Sequence, residues 1–75
     1  MGAFDDFEAA SDWFHRHAGR IDSGPPIDGV DTFTLTVGGV TSSILRYRST
    51  DLDSYYRAFV EACNEIVSLL GTLDP

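Results

Sequence analysis

Residues 50–70, TDLDSYYRAFVEACNEIVSLL, form the longest periodic stretch of the sequence and decide its fold. On a helix with about 100° per residue, their apolar side chains fill an arc of roughly 180°. A helix that packs on one neighbour needs an apolar stripe of only about 100°. The stretch therefore predicts a helix that meets two surfaces, one of which can belong to another molecule. Thr50 as N-cap with Asp53 three residues later predicts its start, and Gly71 its end.

The composition sets limits on what the 75 residues can do. A chain of this length is expected to form one domain, residues 1–75, that buries roughly 60% of its unfolded surface. Twelve acidic residues against five arginines give a net charge of −7, which disfavours direct binding to nucleic acid or to an anionic membrane. Cys63 is the only cysteine, so no disulfide can form within the chain. We expect a cytoplasmic protein, because the first ten residues carry acids where a signal peptide needs basic and apolar residues.

A first helix is expected over residues 3–18. Asp5 and Glu8 have the spacing of a capping box, although an aspartate cap a residue or two earlier fits as well, and Gly19 suits the position after the helix. His15 and His17 point about 200° apart on a helix, so the pair does not predict a metal site.

Residues 20–31, RIDSGPPIDGVD, are interpreted as an irregular connector. Gly24-Pro25-Pro26 and Asp28-Gly29 interrupt the stretch, and proline removes a backbone donor that regular structure needs. The two prolines are expected to stiffen the crossover from helix to sheet.

Residues 32–48 predict a β-hairpin. Phe33, Leu35 and Val37 alternate with threonines, and Gly38-Gly39 can form a two-residue turn with positive φ angles. The turn then fixes a register in which one apolar face packs under the helices. The expected pairs on this face are Val37 with Val40, Leu35 with Ser42, Phe33 with Ile44, and Asp31 with Arg46.

Together these elements predict an α+β fold of the order helix, β-hairpin, helix, in two layers. A lone two-stranded sheet is marginal in water, and both of its strands are edges open to further pairing. We therefore expect a homodimer in which two hairpins join edge to edge as a four-stranded sheet.

The sequence leaves three classes of function open. The first is a non-enzymatic protein-interaction module, an adaptor or inhibitor that acts by occupying a surface. The second is an acidic nucleic-acid mimic that blocks the DNA or RNA site of another protein, as small phage-encoded inhibitors of defence systems do. The third is a small anion- or ligand-binding domain that uses Arg46 and Arg48. No residues have the spacing of a catalytic pair, a cofactor motif or a metal site.

The first class is favoured, because the apolar arc of the long helix exceeds what one neighbour requires. Partner contacts are expected at aromatic, arginine and apolar residues on the margin of the core. The candidates are Trp13, Arg46, Tyr47, Arg48, Tyr55 and Leu69.

Overall fold

The computed structural model describes residues 3–73 and confirms the α+β class, with a helix, an antiparallel sheet and a second helix. The sheet contains more strands than the expected hairpin. In chain order the elements are α1 (Phe7–Arg16), β1 (Arg20–Ile27), β2 (Val30–Val37), β3 (Val40–Thr41), β4 (Leu45–Tyr47) and α2 (Leu52–Leu73).

The interpretation of residues 20–31 as an irregular connector is wrong. Residues 20–27 form β1, which pairs antiparallel with β2, and Asp28-Gly29 is a two-residue turn with φ angles of 52° and 76°. The prolines are tolerated because β1 is an edge strand with a register shift between Gly24 and Ile27. Consequently β2 is the central strand, with β1 on one side and β3 and β4 on the other, and it is not the free edge that was expected.

The hairpin after β2 keeps the predicted register only near its turn. Gly38 and Gly39 have φ angles of 59° and 81°, and Val37 pairs with Val40 as expected. An extra residue before β4 then shifts the pairing, so that Phe33 faces Leu45 rather than Ile44. Leu45 is buried, whereas Ile44 is 63% exposed. The same shift pairs Asp31 with Tyr47 and Thr32 with Arg46, so the expected pairing of Asp31 with Arg46 is wrong.

Polar side chains hold this bulge in place. The Ser42 hydroxyl accepts a hydrogen bond from the Leu35 N–H at 3.0 Å, and the Ser42 N–H donates to the Leu35 carbonyl at 2.8 Å. Glu65 on α2 accepts hydrogen bonds from the Ser43 N–H at 3.2 Å and from its hydroxyl at 2.8 Å. The shift in register is therefore fixed partly by a contact from α2.

Both helices begin later than expected. The carboxylate of Asp6, not of Asp5, caps α1 by accepting a hydrogen bond from the Ala9 N–H at 2.8 Å. Asp51, not Thr50, accepts from the Asp53 N–H at 3.1 Å at the start of α2. At the other end, α2 continues through Gly71 to Leu73, beyond the predicted end at residue 70.

The end of α1 also differs from the prediction. Ala18, not Gly19, has the positive φ angle of 53° that follows the C-cap. The Gly19 N–H donates to the Phe14 carbonyl at 2.9 Å and the Ala18 N–H to the His15 carbonyl at 3.2 Å, as in a Schellman motif. Glycine is required at residue 19 for another reason, because a Cβ there would lie 2.3 Å from the Phe14 ring.

The core explains the wide apolar arc of α2. The helix packs on α1 along one flank and on the sheet along the other, so both surfaces that it meets belong to this chain. The aromatic rings of Phe14 and Phe59 meet at 5.2 Å between the helices, and Phe33 and Tyr55 meet at 5.4 Å between sheet and helix. The largest fully buried side chains are Phe59, Leu35, Ile66 and Cys63.

Candidate protein-binding groove

A groove of about 450 Å³ lies where the start of α1 meets the outer flank of α2. Its size is within the range of about 300–1,000 Å³ that is usual for ligand pockets. The side chains that line it are Asp5, Asp6, Phe7, Tyr56, Arg57, Val60, Glu61 and Asn64.

The floor of the groove is apolar. Phe7 from α1 packs against Tyr56 from α2 with ring centroids 4.6 Å apart, and Val60 follows Tyr56 one turn later on α2. Tyr56 keeps 38% of its surface exposed, although it touches the hydrophobic core through Phe7 and Tyr55. The floor is thus an extension of the core that remains open to solvent.

The rim of the groove is acidic. Asp5, Asp6 and Glu61 are exposed carboxylates, and Arg57 is the one cation among the lining residues. The ion pairs found among residues 3–73 are Arg16–Asp12 and Arg20–Asp22, so no rim carboxylate is paired within that range. Arg57 donates instead to the backbone carbonyl of Asp53 at 3.3 Å. The rim therefore has a net negative charge that is available to a partner.

Asn64 fixes one wall of the groove by binding the segment before α1. Its amide oxygen accepts a hydrogen bond from the Phe4 N–H at 2.8 Å, and its amide nitrogen donates to the Phe4 carbonyl at 3.1 Å. The Phe4 ring packs on Trp13 with centroids 5.3 Å apart. These contacts hold Asp5 and Asp6 at the rim.

The six contact residues expected from the sequence do not form one surface. Trp13 packs between Phe4 and His17, with His17 at 5.2 Å. Tyr47 and Tyr55 touch each other at 5.2 Å and are half-buried against Phe33. None of these three residues lines the groove.

The other three expected contacts lie elsewhere. Arg46 pairs with Thr32, on the face of the sheet away from the helices, and is exposed. Arg48 lines a separate cavity together with Asp28, whose carboxylate makes the cavity a poor anion site, and Arg46 is not part of it. Leu69 is 40% exposed near the end of α2.

Cysteine and histidine are the other residue types in this chain with chemistry relevant to a site. Cys63 is fully buried, its sulfur lies 3.8 Å from the Ala10 carbonyl oxygen, and burial raises the pKa of its thiol from 9.0 to about 11. The thiol is therefore protonated at neutral pH, which makes it a weak nucleophile. His15 and His17 each place Nδ1 against a carbonyl one turn earlier, at 2.7 Å from Ser11 and 2.9 Å from Trp13.

Residues 3–73 contain neither a cluster of metal ligands nor a membrane-spanning helix. No group of three or more His, Cys, Asp or Glu side chains in this range has a metal-binding arrangement. No helix in the same range is long and apolar enough to cross a membrane.

The groove residues were missed by sequence reasoning, although part of the signal was present. Tyr56 and Val60 are four residues apart on the margin of the α2 apolar arc, which places them on one face. Their partner Phe7 belongs to the other helix, and nothing local to either helix indicates that Phe7 meets Tyr56. Of the two rim acids on the α1 side, the sequence predicts a capping role for Asp5, but it is Asp6 that caps the helix.

Comparison of the chain with protein-family models, with curated proteins and with solved structures finds no match. The candidate site therefore depends on the geometry and charge described above.

Proposed function

We propose that this protein acts without catalysis, in the cytoplasm, by binding another protein at the groove between α1 and α2. The observation that carries the proposal is the open apolar floor of Phe7, Tyr56 and Val60 beneath an acidic rim whose carboxylates form no ion pair among residues 3–73. Exposed aromatic side chains surrounded by polar residues are typical of interaction surfaces. The hydrophobic contact would supply binding free energy, and the rim would select the partner.

A comparison of three variants in affinity capture tests this function. In the groove variant, Tyr56→Ser is combined with Val60→Ser. The control is Ile44→Ser, which removes an exposed apolar side chain that does not line the groove. We expect a discrete protein to be retained from a lysate of the native host by the wild type and by the control, and lost by the groove variant. Equal retention by the groove variant would contradict the proposal.

A third variant, Arg46→Ala combined with Arg48→Ala, tests the surface expected from the sequence. If this variant loses the captured protein and the groove variant does not, the partner binds at the hairpin and not at the groove. Circular dichroism and thermal melting of each variant show whether the fold is kept.

The acidic face of α1 supports a second candidate function, mimicry of nucleic acid. Asp6, Glu8 and Asp12 line a shallow depression beside Ala9. Two of these acids already have structural roles, because Asp6 caps α1 and Asp12 pairs with Arg16 at 3.1 Å. Mimicry predicts that DNA or heparin displaces the partner and that Tyr56 is unimportant, which separates it from groove binding.

The proposal extends to weak self-association through β1. This strand is exposed along its whole length and pairs only with β2 among the strands of residues 3–73. Antiparallel pairing of two copies about Ile21 would place each Arg20 opposite the Asp22 of the partner copy. Because Ile21 would face its own copy, the contact within β1 covers residues 20–22, and Pro25 and Pro26 lack the N–H donors needed to extend pairing further along the strand. Such a short contact favours a concentration-dependent dimer.

A further inference from the structure

We infer that the groove takes a basic amphipathic segment of its protein partner, in which one apolar side chain is flanked by lysine or arginine. The inference rests on the proposed function and adds to it the chemistry of the partner.

The floor of the groove selects a single apolar side chain rather than a cation. An aromatic cage for a methylated ammonium group needs ring faces that surround an empty space. Phe7 and Tyr56 instead lie against each other, with centroids 4.6 Å apart and ring planes 37° apart. The space beside them continues along α2 over Val60. This shape suits a helix or an extended segment that lies along the groove with its apolar side facing the floor.

The rim selects positive charge on both sides of that apolar side chain. Asp5 and Asp6 lie at the α1 end of the groove, and Glu61 lies on the α2 side next to Val60. Basic residues that flank an apolar side chain would meet Asp5 and Asp6 at one wall and Glu61 at the other, where Arg57 offsets part of the negative charge. Because the whole chain carries a net charge of −7, a basic segment would also be attracted before contact.

The same charges argue against two other occupants. A second copy docked groove to groove would bring acidic rims together, since a two-fold contact places the same patch on both sides. A nucleic acid would bring phosphates against Asp5, Asp6 and Glu61. A basic segment of a different protein is the occupant that both the floor and the rim accommodate.

The test is selection of peptides from a random 16-residue phage-display library on the immobilised full chain. We expect the enriched peptides to share an apolar residue with Lys or Arg on both sides. A synthetic peptide of the enriched sequence should bind with an affinity that falls as salt rises. Reversal of charge in Glu61→Lys should weaken its binding about five- to ten-fold.

Two matched variants keep the result interpretable. Asp28→Lys makes the same charge reversal at the β1–β2 turn, far from the groove, and should leave affinity within about two-fold of wild type. The pair Asp5→Asn with Glu61→Gln removes rim charge without adding bulk and should also weaken binding, which guards against a folding defect in Glu61→Lys.

Three results would overturn the inference: no enrichment, enrichment of acidic or uncharged sequences, or equal weakening by Asp28→Lys and Glu61→Lys. If any of these occurs while the groove variant still loses the protein captured from lysate, the proposed function stands and only the partner chemistry is wrong.

Discussion

The residue with a positive φ angle after α1 is Ala18, whereas the sequence predicts Gly19 for this position. Two single substitutions test the difference. Ala18 adopts φ of 53°, where a Cβ is strained, so Ala18→Gly should stabilise the fold by about 0.5–1 kcal/mol after the added entropy of the unfolded chain is included. Gly19→Ala should destabilise it by about 1–3 kcal/mol, because its Cβ would overlap Phe14. Urea unfolding of both variants checks this, and the opposite ordering would contradict the described end of α1.

The raised pKa of the Cys63 thiol predicts how the free energy of unfolding changes at alkaline pH. Its thiol pKa is about 11 in the folded protein and close to the ordinary value of 9.0 when unfolded. Between these values the unfolded chain has lost the proton that the folded chain keeps, so the free energy of unfolding falls as pH rises from about 9 to 11. Burial also raises the pKa of Tyr55, followed by smaller effects of Tyr47, Tyr56 and Cys63 in the same direction.

The variant Cys63→Ala isolates the contribution of the thiol to the pH dependence of stability. We expect urea midpoints of the wild type to fall more steeply than those of the variant between pH 9 and 11, while the difference between the two proteins is constant below pH 8. A constant difference over the entire range would show that the thiol does not change its pKa on folding.

At the scale of elements, the segment before α1 depends on one side chain of α2. Asn64→Ala removes both hydrogen bonds to Phe4 and should cost about 1–2 kcal/mol, because the backbone groups of Phe4 lose their partners. The Phe4 ring would then leave Trp13, the only tryptophan, whose fluorescence should shift to longer wavelength. Ser68→Ala, an exposed position one turn later on α2, is the control and should leave the spectrum unchanged. An unchanged spectrum in Asn64→Ala would mean that Asn64 does not hold the segment.

The elements also show where sequence reasoning succeeds. The two helices and the β2–β3 turn have strong local signals: apolar periodicity, capping acids and paired glycines. The first strand has no such signal among its own residues, because all of them are exposed and follow no period-two pattern. The one local indication comes directly after the strand: Asp28-Gly29 between Ile27 and Val30 is a turn sequence typical of hairpins, although the sequence analysis places it in a loop.

The shift before β4 could not have been predicted from local pattern. Ile44 and Leu45 are adjacent apolar residues, so either can face the core, and alternation from the turn favours Ile44. The choice of Leu45 accompanies the hydrogen bonds from Ser43 to Glu65, a residue 22 positions away on another element. The groove likewise depends on a contact between elements that are distant in sequence, because it forms where α1 meets α2.

At the scale of the whole molecule, self-association through β1 predicts a salt-sensitive dimer. Light scattering after size-exclusion chromatography at several concentrations should show a rising fraction of dimer. Arg20→Glu should abolish it, and Arg20→Glu combined with Asp22→Arg should restore it by exchanging the two charges across the pair. A monomer at every concentration would contradict self-association through β1.

Site-specific photo-crosslinking in the native host would show whether a partner protein docks at the groove. A benzoylphenylalanine residue would replace Tyr56 in one strain and Ile44, which is exposed between β3 and β4, in another. We predict a discrete crosslinked protein from position 56 and none from position 44. Crosslinking from position 44 alone, or from neither position, would contradict the claim.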